Sequence, residues 1–293
     1  APILEIKRVT RRMMELDAQV RLRVDSKDEI GDLKEQINSL YQHLLTVIAD
    51  LHEKNEAILQ LEKMKVEFLR GASHELKTPL TSIRGYSELL SAGVIKDHNK
   101  EKEILSKIQV QVTNMANLIN DILMLSRLDN HDIAVEKIPL HMKAIISGIL
   151  KDYEGLTLED RIELIDHSED IIYYGNTQQI TTLISNLVSN AIKYNIKQGT
   201  VIVSCYKEKN MMILSVKDTG IGIPEDSKDR VFERFYRVDK SRQRSMGGTG
   251  LGLALAKNII EAHKGRIWAQ SREGYGSIIF VTLPCEQIDD EWL

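Results

Sequence analysis

Two stripes of apolar residues, spaced three or four positions apart, run through the first part of the chain. This spacing places apolar side chains on one face of a helix. The first stripe predicts a short helix and the second a long one, with a polar stretch at residues 24–28 between them. Because the second pattern runs in heptads far beyond the ~11 residues of an average helix, it predicts a coiled coil in a parallel homodimer. The alternative is an amphipathic helix that packs on its own domain. The stripes are Ile6, Val9, Met13, Leu16 and Val20, then Ile30, Leu33, Ile37, Leu40, Leu44, Val47, Leu51, Ile58, Leu61 and Phe68.

A third apolar pattern follows a short polar loop and predicts a second long helix. The first long helix is expected to continue through Pro79, which removes one backbone donor and kinks it, and to end near Gly93. The second helix ends where the polar residues 129–132 break the pattern. Two such helices from each of two chains would form a four-helix bundle. Its buried seam is predicted to contain Ile104, Ile108, Val112, Met115, Ile119, Ile122 and Leu125.

Beyond about residue 131 the period changes, and short β-rich runs alternate with helical stretches. This alternation predicts an α/β sandwich. The fold class is therefore α+β, with an antiparallel helical hairpin that forms a dimeric four-helix bundle, followed by the sandwich. The predicted strands are residues 133–138, 161–165, 171–174, 201–206, 211–216, 266–269 and 277–283, and the predicted helices are residues 141–153, 178–194 and 251–263.

The composition narrows the classes to which the chain can belong. Its 293 residues carry 39 basic and 43 acidic side chains, a net charge of −4, which excludes nucleic acid as the main partner. Two distant cysteines support neither a disulfide framework nor a thiolate zinc site, and they favour a reducing, cytosolic compartment. No run approaches the ~18 apolar residues of a membrane span, so we expect a soluble chain. Because it starts at Ala1 without a signal-peptide pattern, we expect a fragment or a processed product.

The histidine segment, residues 74–79, places a histidine and a threonine four residues apart on one helix face. An imidazole is largely uncharged at neutral pH, so one ring nitrogen can act as a nucleophile when the other is held as a hydrogen-bonded N–H. Glu75 is long enough to accept that hydrogen bond from His74, and Thr78 could position a water. A single helical histidine is more often an ordinary surface or core residue, so the rest of the chain must support this role.

The asparagine segment, residues 186–194, carries Asn186 and Asn190 one helical turn apart, with Lys193 and Tyr194 in the next turn. Amide oxygens suit a Mg²⁺ ion that is already bound to phosphates, a lysine supplies charge to phosphates, and a tyrosine offers a face for a base. An ordinary amphipathic helix with its polar residues in water is the equally weighted alternative.

Two glycine segments could border a ligand. The first, residues 218–224, follows a predicted strand, where close glycines let the backbone approach a ligand and Asp218 can accept a hydrogen bond from an adenine amino group. The second, residues 247–253, opens a helix whose free N–H groups suit phosphate, although it is not a Walker loop. Simple turns are the alternative for both. Between them, residues 224–246 have the composition of a mobile lid, with Arg237 as a candidate phosphate contact.

In this order, the segments resemble those of a sensor histidine kinase of a two-component system, and the resemblance covers nearly the whole chain. The front of the chain, with Pro2, broken heptads and residues 28–31, resembles a HAMP linker. Residues 74–79 resemble the family's H box, 186–194 its N box, 218–222 its first glycine box, 232–237 its F box and 248–253 its second glycine box. Five segments in the family's order and at its approximate spacing are far more specific than any one of them.

The resemblance implies a HAMP linker at residues 1–50, a dimerisation and histidine phosphotransfer hairpin at 51–131, a Bergerat-type ATP-binding sandwich at 132–286 and a tail at 287–293. HAMP modules normally follow a transmembrane helix, so the chain is expected to be the cytoplasmic portion of a membrane protein whose sensor lies upstream. The implied partners are a second copy of the chain and the receiver domain of a response regulator, with no nucleic acid. The implied activity is ATP-dependent autophosphorylation on His74, then transfer to an aspartate of the regulator, together with phosphatase activity.

The resemblance also implies a role for each site residue, with ATP and Mg²⁺ as cofactors. His74 would accept the phosphoryl group, Glu75 would assist it by a hydrogen bond, and Thr78 would serve in dephosphorylation of the partner. Asn190 would hold Mg²⁺ with Asn186 nearby. Lys193 would face phosphate, Tyr194 the base, and Asp218 the adenine amino group. The remaining nucleotide contacts would be Gly220, Gly222, Arg237, Gly248, Thr249, Gly250, Leu251 and Gly252.

Two residues depart from the family pattern. Ala18 stands where the HAMP connector usually begins with glycine, which puts the conformation of that turn in doubt, and Asn176 stands where many members carry aspartate. Neither lies in the five segments. Two other functions compete with the kinase: a stand-alone ATPase with the same nucleotide fold, which needs no nucleophilic histidine, and a dimeric scaffold with a vestigial ATP site.

Overall fold

The computed structural model describes residues 2–93, 95, 97–129, 137–158, 160–238 and 249–285. The chain divides into two compact units, residues 1–69 and 70–293. Within the described residues, no helix has a stretch that is both long enough and apolar enough to cross a membrane.

In the first unit, helix α1 (Pro2–Met13) and the start of helix α2 (Glu29–Ser91) are joined by an extended connector. Met13, Val20, Leu22 and Tyr41 form its buried core. The prediction that one helix face runs from Ile6 to Val20 is wrong, because α1 ends at Met13 and the chain then turns. Leu16 lies in that turn with φ 60° and is 50% exposed, whereas Val20 reaches the core from the connector. Ala18 does not have a positive φ, so this turn does not require glycine there.

A buried lysine ties together the three parts of this unit. The side chain of Lys34, on α2, is only 1% exposed. Its Nζ donates to Asp25 Oδ1 at 2.8 Å and to the Arg23 carbonyl at 3.0 Å, both in the connector, and to Glu5 Oε2 on α1 at 3.3 Å. The Lys34 ammonium lowers the pKa of the Asp25 carboxyl, so this stabilisation is lost as the pH falls through the Asp25 pKa of the folded chain. Asn38 adds a clamp, since its side chain bonds both the N–H and the carbonyl of Leu22 at 2.8 Å.

Replacement of Lys34 by Met is expected to loosen the connector while leaving α2 helical, because methionine fills the space but donates no hydrogen bond. Amide hydrogen exchange at Leu22 should accelerate roughly tenfold, since three acceptors lose their buried donor. Lys54→Met is the matched control, because Lys54 makes only an exposed ion pair with Asp50 on the same helix. Equal exchange at Leu22 in both variants would show that Lys34 does not hold the connector.

The second unit begins with the rest of α2 and continues with helix α3 (His98–Asp129). Helix α2 continues through Pro79 and ends at Ser91, as predicted. In the single chain the predicted seam of α3 is only partly covered: Val112 is 53% and Ile119 44% exposed, whereas Leu118, which the seam omits, is buried. The coiled coil and the four-helix bundle need a second copy of the chain and stay predictions. Many apolar side chains of α2 are also exposed in the single chain, among them Leu40, Leu51, Ile58 and Leu61.

The remainder of the second unit is an α/β layer structure. A five-stranded mixed sheet has the order β2-β4-β5-β7-β6, with β2 and β4 parallel and the other pairs antiparallel. Strands β1 and β3 form a separate antiparallel pair. The strands are β1 (Ile138–His141), β2 (Glu163–Ser168), β3 (Ile172–Gly175), β4 (Thr200–Glu208), β5 (Met211–Asp218), β6 (Arg266–Arg272) and β7 (Gly276–Pro284), and the helices are α4 (Met142–Thr157), α5 (Thr177–Lys193) and α6 (Gly252–Ala262).

Buried and more exposed side chains alternate along the strands of the sheet, which shows which face of the sheet is covered. On β4 the side chains of Val201, Val203 and Cys205 are fully buried, and on β5 those of Met212 and Leu214 are fully buried too. These residues face the helices, while the alternate residues face away. The three predicted helices and six of the seven predicted strands are confirmed to within a few residues. Of the first predicted strand, residues 133–138, only 137 and 138 are described, and β1 begins at Ile138 and continues beyond the predicted end.

Candidate functional site

Helix α5 presents the asparagine segment. Asn176 caps its N-terminus, since its side-chain oxygen accepts a hydrogen bond from the Gln179 N–H at 3.0 Å. An aspartate would accept the same bond, so the departure at Asn176 leaves the helix start intact. One face of the helix is buried against the sheet, which leaves Asn186 and Asn190 on the partly exposed side. No described residue hydrogen-bonds the side chain of Asn190, and the buried Asn186 Nδ2 has no partner among the described residues.

The first glycine segment lies against the end of α5. The N–H of Ile221 donates to the Tyr194 carbonyl at 3.0 Å. Gly220 passes so close to that carbonyl that any Cβ would overlap it, and Gly222 has φ 73° and meets the backbone of Arg272. Both positions therefore require glycine, and the segment is packed rather than a free turn.

Asp218 ends strand β5 beside this segment and is 9% exposed. Its Oδ1 accepts hydrogen bonds from the N–H groups of Gly220 at 2.8 Å and Ser277 at 3.2 Å. Burial raises the pKa of the Asp218 carboxyl, while these two N–H donors oppose the shift. No described residue donates to its second oxygen, Oδ2, which is therefore available to a ligand's N–H group.

The second glycine segment reaches the asparagine segment from the other side. Gly252 begins α6, and a Cβ there would lie 3.1 Å from Asn186 Oδ1. Gly250 has φ 70° and packs on Phe235, whose N–H donates to the Gly250 carbonyl at 2.9 Å. Thr249 Oγ1 accepts from the N–H of Leu251, whose side chain is fully buried. Gly248 and residues 239–246 of the predicted lid lie outside the described residues.

Two cations meet where these segments converge. Lys193 lies at the end of α5, with its Nζ 4.9 Å from the centre of the Tyr194 ring. Burial and, as the smaller cause, the nearby positive charge of Arg237 together lower the pKa of Lys193 to about 8. No described carboxylate is among the groups that shift it. A polyanion bound here would relieve the repulsion between Lys193 and Arg237.

The histidine segment, residues 74–79, lies on α2. The side chain of His74 is 76% exposed, and its Nδ1 lies 3.6 Å from Glu75 Oε1. Thr78 Oγ1 donates to the backbone carbonyl of His74 at 3.3 Å. Pro79 is buried and has no N–H, so the backbone carbonyl of Glu75 lacks its usual helical hydrogen bond. The structure thus brings the nucleotide-site candidates together but leaves His74 in solvent.

Contacts that the sequence did not predict connect the nucleotide-site region with the helical hairpin that carries His74. We name this contact the clasp: Phe235 packs on Gly71, one turn before His74, and the neighbouring Arg234 binds Asp129 at the end of α3. The Arg234 Nη2 to Asp129 Oδ1 distance is 2.6 Å, and Asn258 Nδ2 on α6 donates to the same oxygen at 3.1 Å. A glycine in the middle of a long helix, such as Gly71, is the one sequence signal that indicated a close approach.

Family comparisons divide the chain into three matched parts. Residues 1–46 match the HAMP domain, residues 64–131 the His Kinase A (phospho-acceptor) domain, and residues 175–287 the family described as Histidine kinase-, DNA gyrase B-, and HSP90-like ATPase. The order of the three is the order that the sequence predicts.

Whole-chain comparisons agree with the domain matches. The chain is 42% identical over 250 residues to sensor protein kinase WalK of Staphylococcus haemolyticus, covering 84% of this chain and 41% of that protein. For WalK of Staphylococcus aureus the identity is 41% over 251 residues, covering 84% and 60%. The chain thus spans roughly half the length of these relatives.

Solved structures show the same fold. Acinetobacter baumannii histidine kinase AdeS superposes with a TM-score of 0.60 at 26% identity, covering 73% of this chain and 98% of that one. Histidine kinase ThkA, solved in complex with response regulator protein TrrA, gives 0.60 at 20% identity, covering 81% and 67%, and supports the fold alone. With a HAMP domain, a phospho-acceptor domain and a kinase-type ATPase domain in this order, the chain belongs to the sensor histidine kinases.

Proposed function

We propose that this chain transfers the γ-phosphoryl group of ATP to His74 and then to an aspartate on a response-regulator receiver domain. One observation carries the nucleotide part of the proposal. Lys193 and Arg237 place two positive charges beside the glycine segments, where the ligand-free protein offers Lys193 no described carboxylate. A triphosphate supplies the missing negative charge.

The described residues fit the two ends of ATP. Asp218 Oδ2 would accept a hydrogen bond from the adenine amino group, and Gly220 and Gly222, packed on Tyr194 and Arg272, would border the base. The Tyr194 ring offers an apolar face to the base. Lys193, Arg237 and the start of α6, with Thr249, Gly250, Leu251 and Gly252, face the phosphates. The same role is proposed for Gly248.

The asparagines fit a magnesium ion that arrives with the nucleotide. Asn190 carries an amide oxygen with no described partner, and Asn186 lies one turn before it with a buried, unpartnered Nδ2. One or two protein oxygens are what Mg²⁺ needs when phosphates and waters supply the rest. When bound, Mg²⁺ would neutralise charge on the phosphates. Asn190 would hold it directly, and the Asn186 amide would orient the water or phosphate beside it.

The transfer step uses the two ring nitrogens of His74 differently. Nδ1 lies 3.6 Å from Glu75 Oε1, just outside hydrogen-bond range, so a small rotation of either side chain would let Glu75 accept the Nδ1–H and leave the Nε2 lone pair free. Nε2 attacks the γ-phosphorus of ATP, a P–N bond forms, and the bond from phosphorus to the β–γ bridging oxygen breaks to release ADP. Glu75 stabilises the positive charge that develops on the ring. Positioning supplies most of the rate, so the exposed His74 must first be brought to the nucleotide.

Nucleotide affinity is expected to fall as the pH rises from 7 to 9. The Lys193 pKa of about 8 in the free protein rises when phosphates bind, because they favour the charged form. Binding therefore takes up a proton above pH 8 and weakens there. Titration of an ATP analogue at each pH should show this dependence in the wild type and lose most of it in Lys193→Arg, which stays charged. An identical pH dependence in both proteins would remove Lys193 from the phosphate site.

The clasp is expected to slow phosphorylation, because it holds Arg234 and Phe235 against helices α2 and α3 while His74 stays exposed. Asp129→Ala removes the acceptor of both Arg234 and Asn258. The ion pair is 33% and 42% exposed, and such pairs contribute ~0.2–1 kcal/mol, so the initial rate should rise up to about fivefold. Glu103→Ala, which breaks an exposed pair with Lys107 on the same helix, is the control. A slower rate in Asp129→Ala alone would mean that the clasp supports transfer.

The second transfer distinguishes a signalling kinase from other ATP-using proteins. The phosphohistidine would give its phosphoryl group to a receiver aspartate, with the P–N bond broken and an acyl phosphate formed. Thr78, one turn after His74, would position a water that attacks the phosphorus of the acyl phosphate, so that the bond from phosphorus to the aspartate oxygen breaks and inorganic phosphate leaves. Label on the chain should move to an added receiver domain and not to the same domain with its aspartate replaced by alanine. Label that stays on the chain would restrict the function to autophosphorylation.

The setting of the domain also belongs to the proposal. Homodimerisation would cover the apolar side chains of α2 and α3 that are exposed in the single chain. The boundaries proposed are a HAMP linker at 1–50, a hairpin at 51–131, an ATP-binding domain at 132–286 and a tail at 287–293. The location proposed is the cytoplasmic side of the cell membrane, and the HAMP match at residues 1–46 supports it, because such linkers normally connect to membrane helices.

A further inference from the structure

Three polar side chains form a row across the sheet at the end where the first glycine segment begins. Asp218 on β5 pairs with Ser277 on β7, and Ser277 pairs with Ser271 on β6. Residues that are paired directly across neighbouring strands lie on the same face of a sheet. Ser271 belongs to none of the segments that the sequence singles out, yet it lies in one row with the aspartate that borders the nucleotide-site candidates.

Three hydrogen bonds meet at the hydroxyl oxygen of Ser271. It accepts from the Ile223 N–H at 2.7 Å and donates to the Gly276 carbonyl at 2.9 Å. Its distance to Ser277 Oγ is also 2.9 Å. A hydroxyl has one hydrogen and two lone pairs, and Ser271 gives its hydrogen to a carbonyl, which only accepts. The Ser277 hydroxyl is therefore the donor between the two serines, and Ser271 uses its full hydrogen-bonding capacity.

These bonds reach both of the segments that hold the Asp218 carboxylate. Asp218 Oδ1 accepts from the N–H groups of Gly220 at 2.8 Å and Ser277 at 3.2 Å. The first of these donors belongs to the glycine segment, which the serine hydroxyl binds at Ile223. The second directly follows Gly276, whose carbonyl the same hydroxyl binds. One hydroxyl thus fixes both donors of Oδ1 and, through them, the direction in which Oδ2 points.

Backbone contacts join the same two segments. The Gly274 N–H donates to the Ile221 carbonyl at 2.8 Å. Gly276 has φ 92°, and a Cβ there would overlap the Asp218 carbonyl, so the turn before β7 packs directly on the end of β5. Because these contacts do not involve a side chain of β6, loss of the Ser271 hydroxyl should loosen the carboxylate without unfolding the domain.

We propose that Ser271 is a positioning residue for adenine binding, which directs Asp218 Oδ2 at the amino group of the base by fixing the two N–H groups that hold Oδ1. Ser271 acts through Asp218 and the first glycine segment and does not itself bind the base. This inference rests on the proposed nucleotide site, to which it adds a residue on a different strand.

Replacement of Ser271 by Ala is expected to weaken ATP binding about 3- to 10-fold, the usual effect of one lost hydrogen bond. Inosine triphosphate has no amino group for Asp218 to bind, so its weaker affinity should stay nearly unchanged. The ratio of the two affinities, measured by titration of the full chain, is the informative quantity. A general loss of structure would weaken both nucleotides by the same factor and leave that ratio as it is in the wild type.

Two variants serve as controls. Ser271→Thr keeps the hydroxyl and should restore the wild-type ratio. Ser147→Ala removes a serine hydroxyl that donates to Asp166, between α4 and β2 and outside the row, and should leave both affinities unchanged. Thermal unfolding shows which variants are folded. If Ser271→Ala does not fold, Ser271→Cys provides the same test, because a thiol of similar size is a weaker hydrogen-bonding group.

The possible failures separate this inference from the function on which it rests. Equal weakening of both nucleotides, unchanged ATP affinity in Ser271→Ala, or a folded Ser271→Thr that does not restore the ratio would each overturn the positioning role alone. A wild-type chain that binds no ATP, or that binds ATP and inosine triphosphate equally, would instead contradict the proposed nucleotide site.

Discussion

A chain with His74→Gln is expected to bind ATP with wild-type affinity and to incorporate no phosphoryl group. Glutamine resembles histidine in length and polarity but offers no nucleophilic nitrogen. His74 is exposed on α2 and makes no described contact with the nucleotide-site residues, so its loss should not disturb binding. The measurement pairs an ATP-binding titration with phosphoryl incorporation on the same protein.

His98→Gln is the matched control for this prediction. His98 is also 76% exposed, near a glutamate, and lies at the start of α3. It should leave incorporation unchanged. Incorporation that survives in His74→Gln and vanishes in His98→Gln would move the phosphoacceptor to another helix. Sustained release of phosphate by His74→Gln would favour the stand-alone ATPase instead.

Asp218→Asn is expected to weaken ATP binding by about 10- to 100-fold. The asparagine oxygen can still accept from the N–H groups of Gly220 and Ser277, so the fold is retained. Its NH₂ group then replaces Oδ2 and meets the adenine amino group donor to donor. A lost hydrogen bond to a charged group costs about 1.5–3 kcal/mol, which gives this range.

The same variant predicts an altered base preference. Inosine triphosphate carries an oxygen where adenine carries its amino group, so it should bind Asp218→Asn better than it binds the wild type. Thermal unfolding of both proteins controls for loss of structure. If folded Asp218→Asn binds ATP and inosine triphosphate with the same affinities as the wild type, Asp218 does not contact the adenine amino group.

The helices and strands followed from the sequence because their apolar spacing is set by local geometry. A period near 3.6 gave α2, α3 and α5, and alternating β-branched runs gave β4, β5 and β7. The error at Leu16 has a physical reason. Apolar spacing continued past Met13 because Val20 and Leu22 serve the same core from an extended connector, and periodicity cannot separate the two.

The candidate nucleotide residues were predictable because each glycine and asparagine belongs to a contiguous segment. Their mutual contacts were not, since the hydrogen bond from Ile221 to Tyr194 and the approach of Gly252 to Asn186 join residues that are distant along the chain. The clasp was beyond sequence reasoning for the same reason. In the sequence, Asp129 is only a polar residue at the end of a helix. The packing of α3 on α6 is what shows that Arg234 and Asn258 bind it.

The central claim is that His74 receives the γ-phosphoryl group, and the most direct test is the chemical stability of the bond formed. The purified chain is incubated with γ-labelled ATP and Mg²⁺, and the protein-bound label is then exposed to acid and to base. A phosphohistidine P–N bond breaks in acid and survives in base, so the account predicts label with that stability on wild-type protein. Acid-stable label would mean a hydroxyl acceptor, and label lost in both would mean an acyl phosphate; either result would contradict the account.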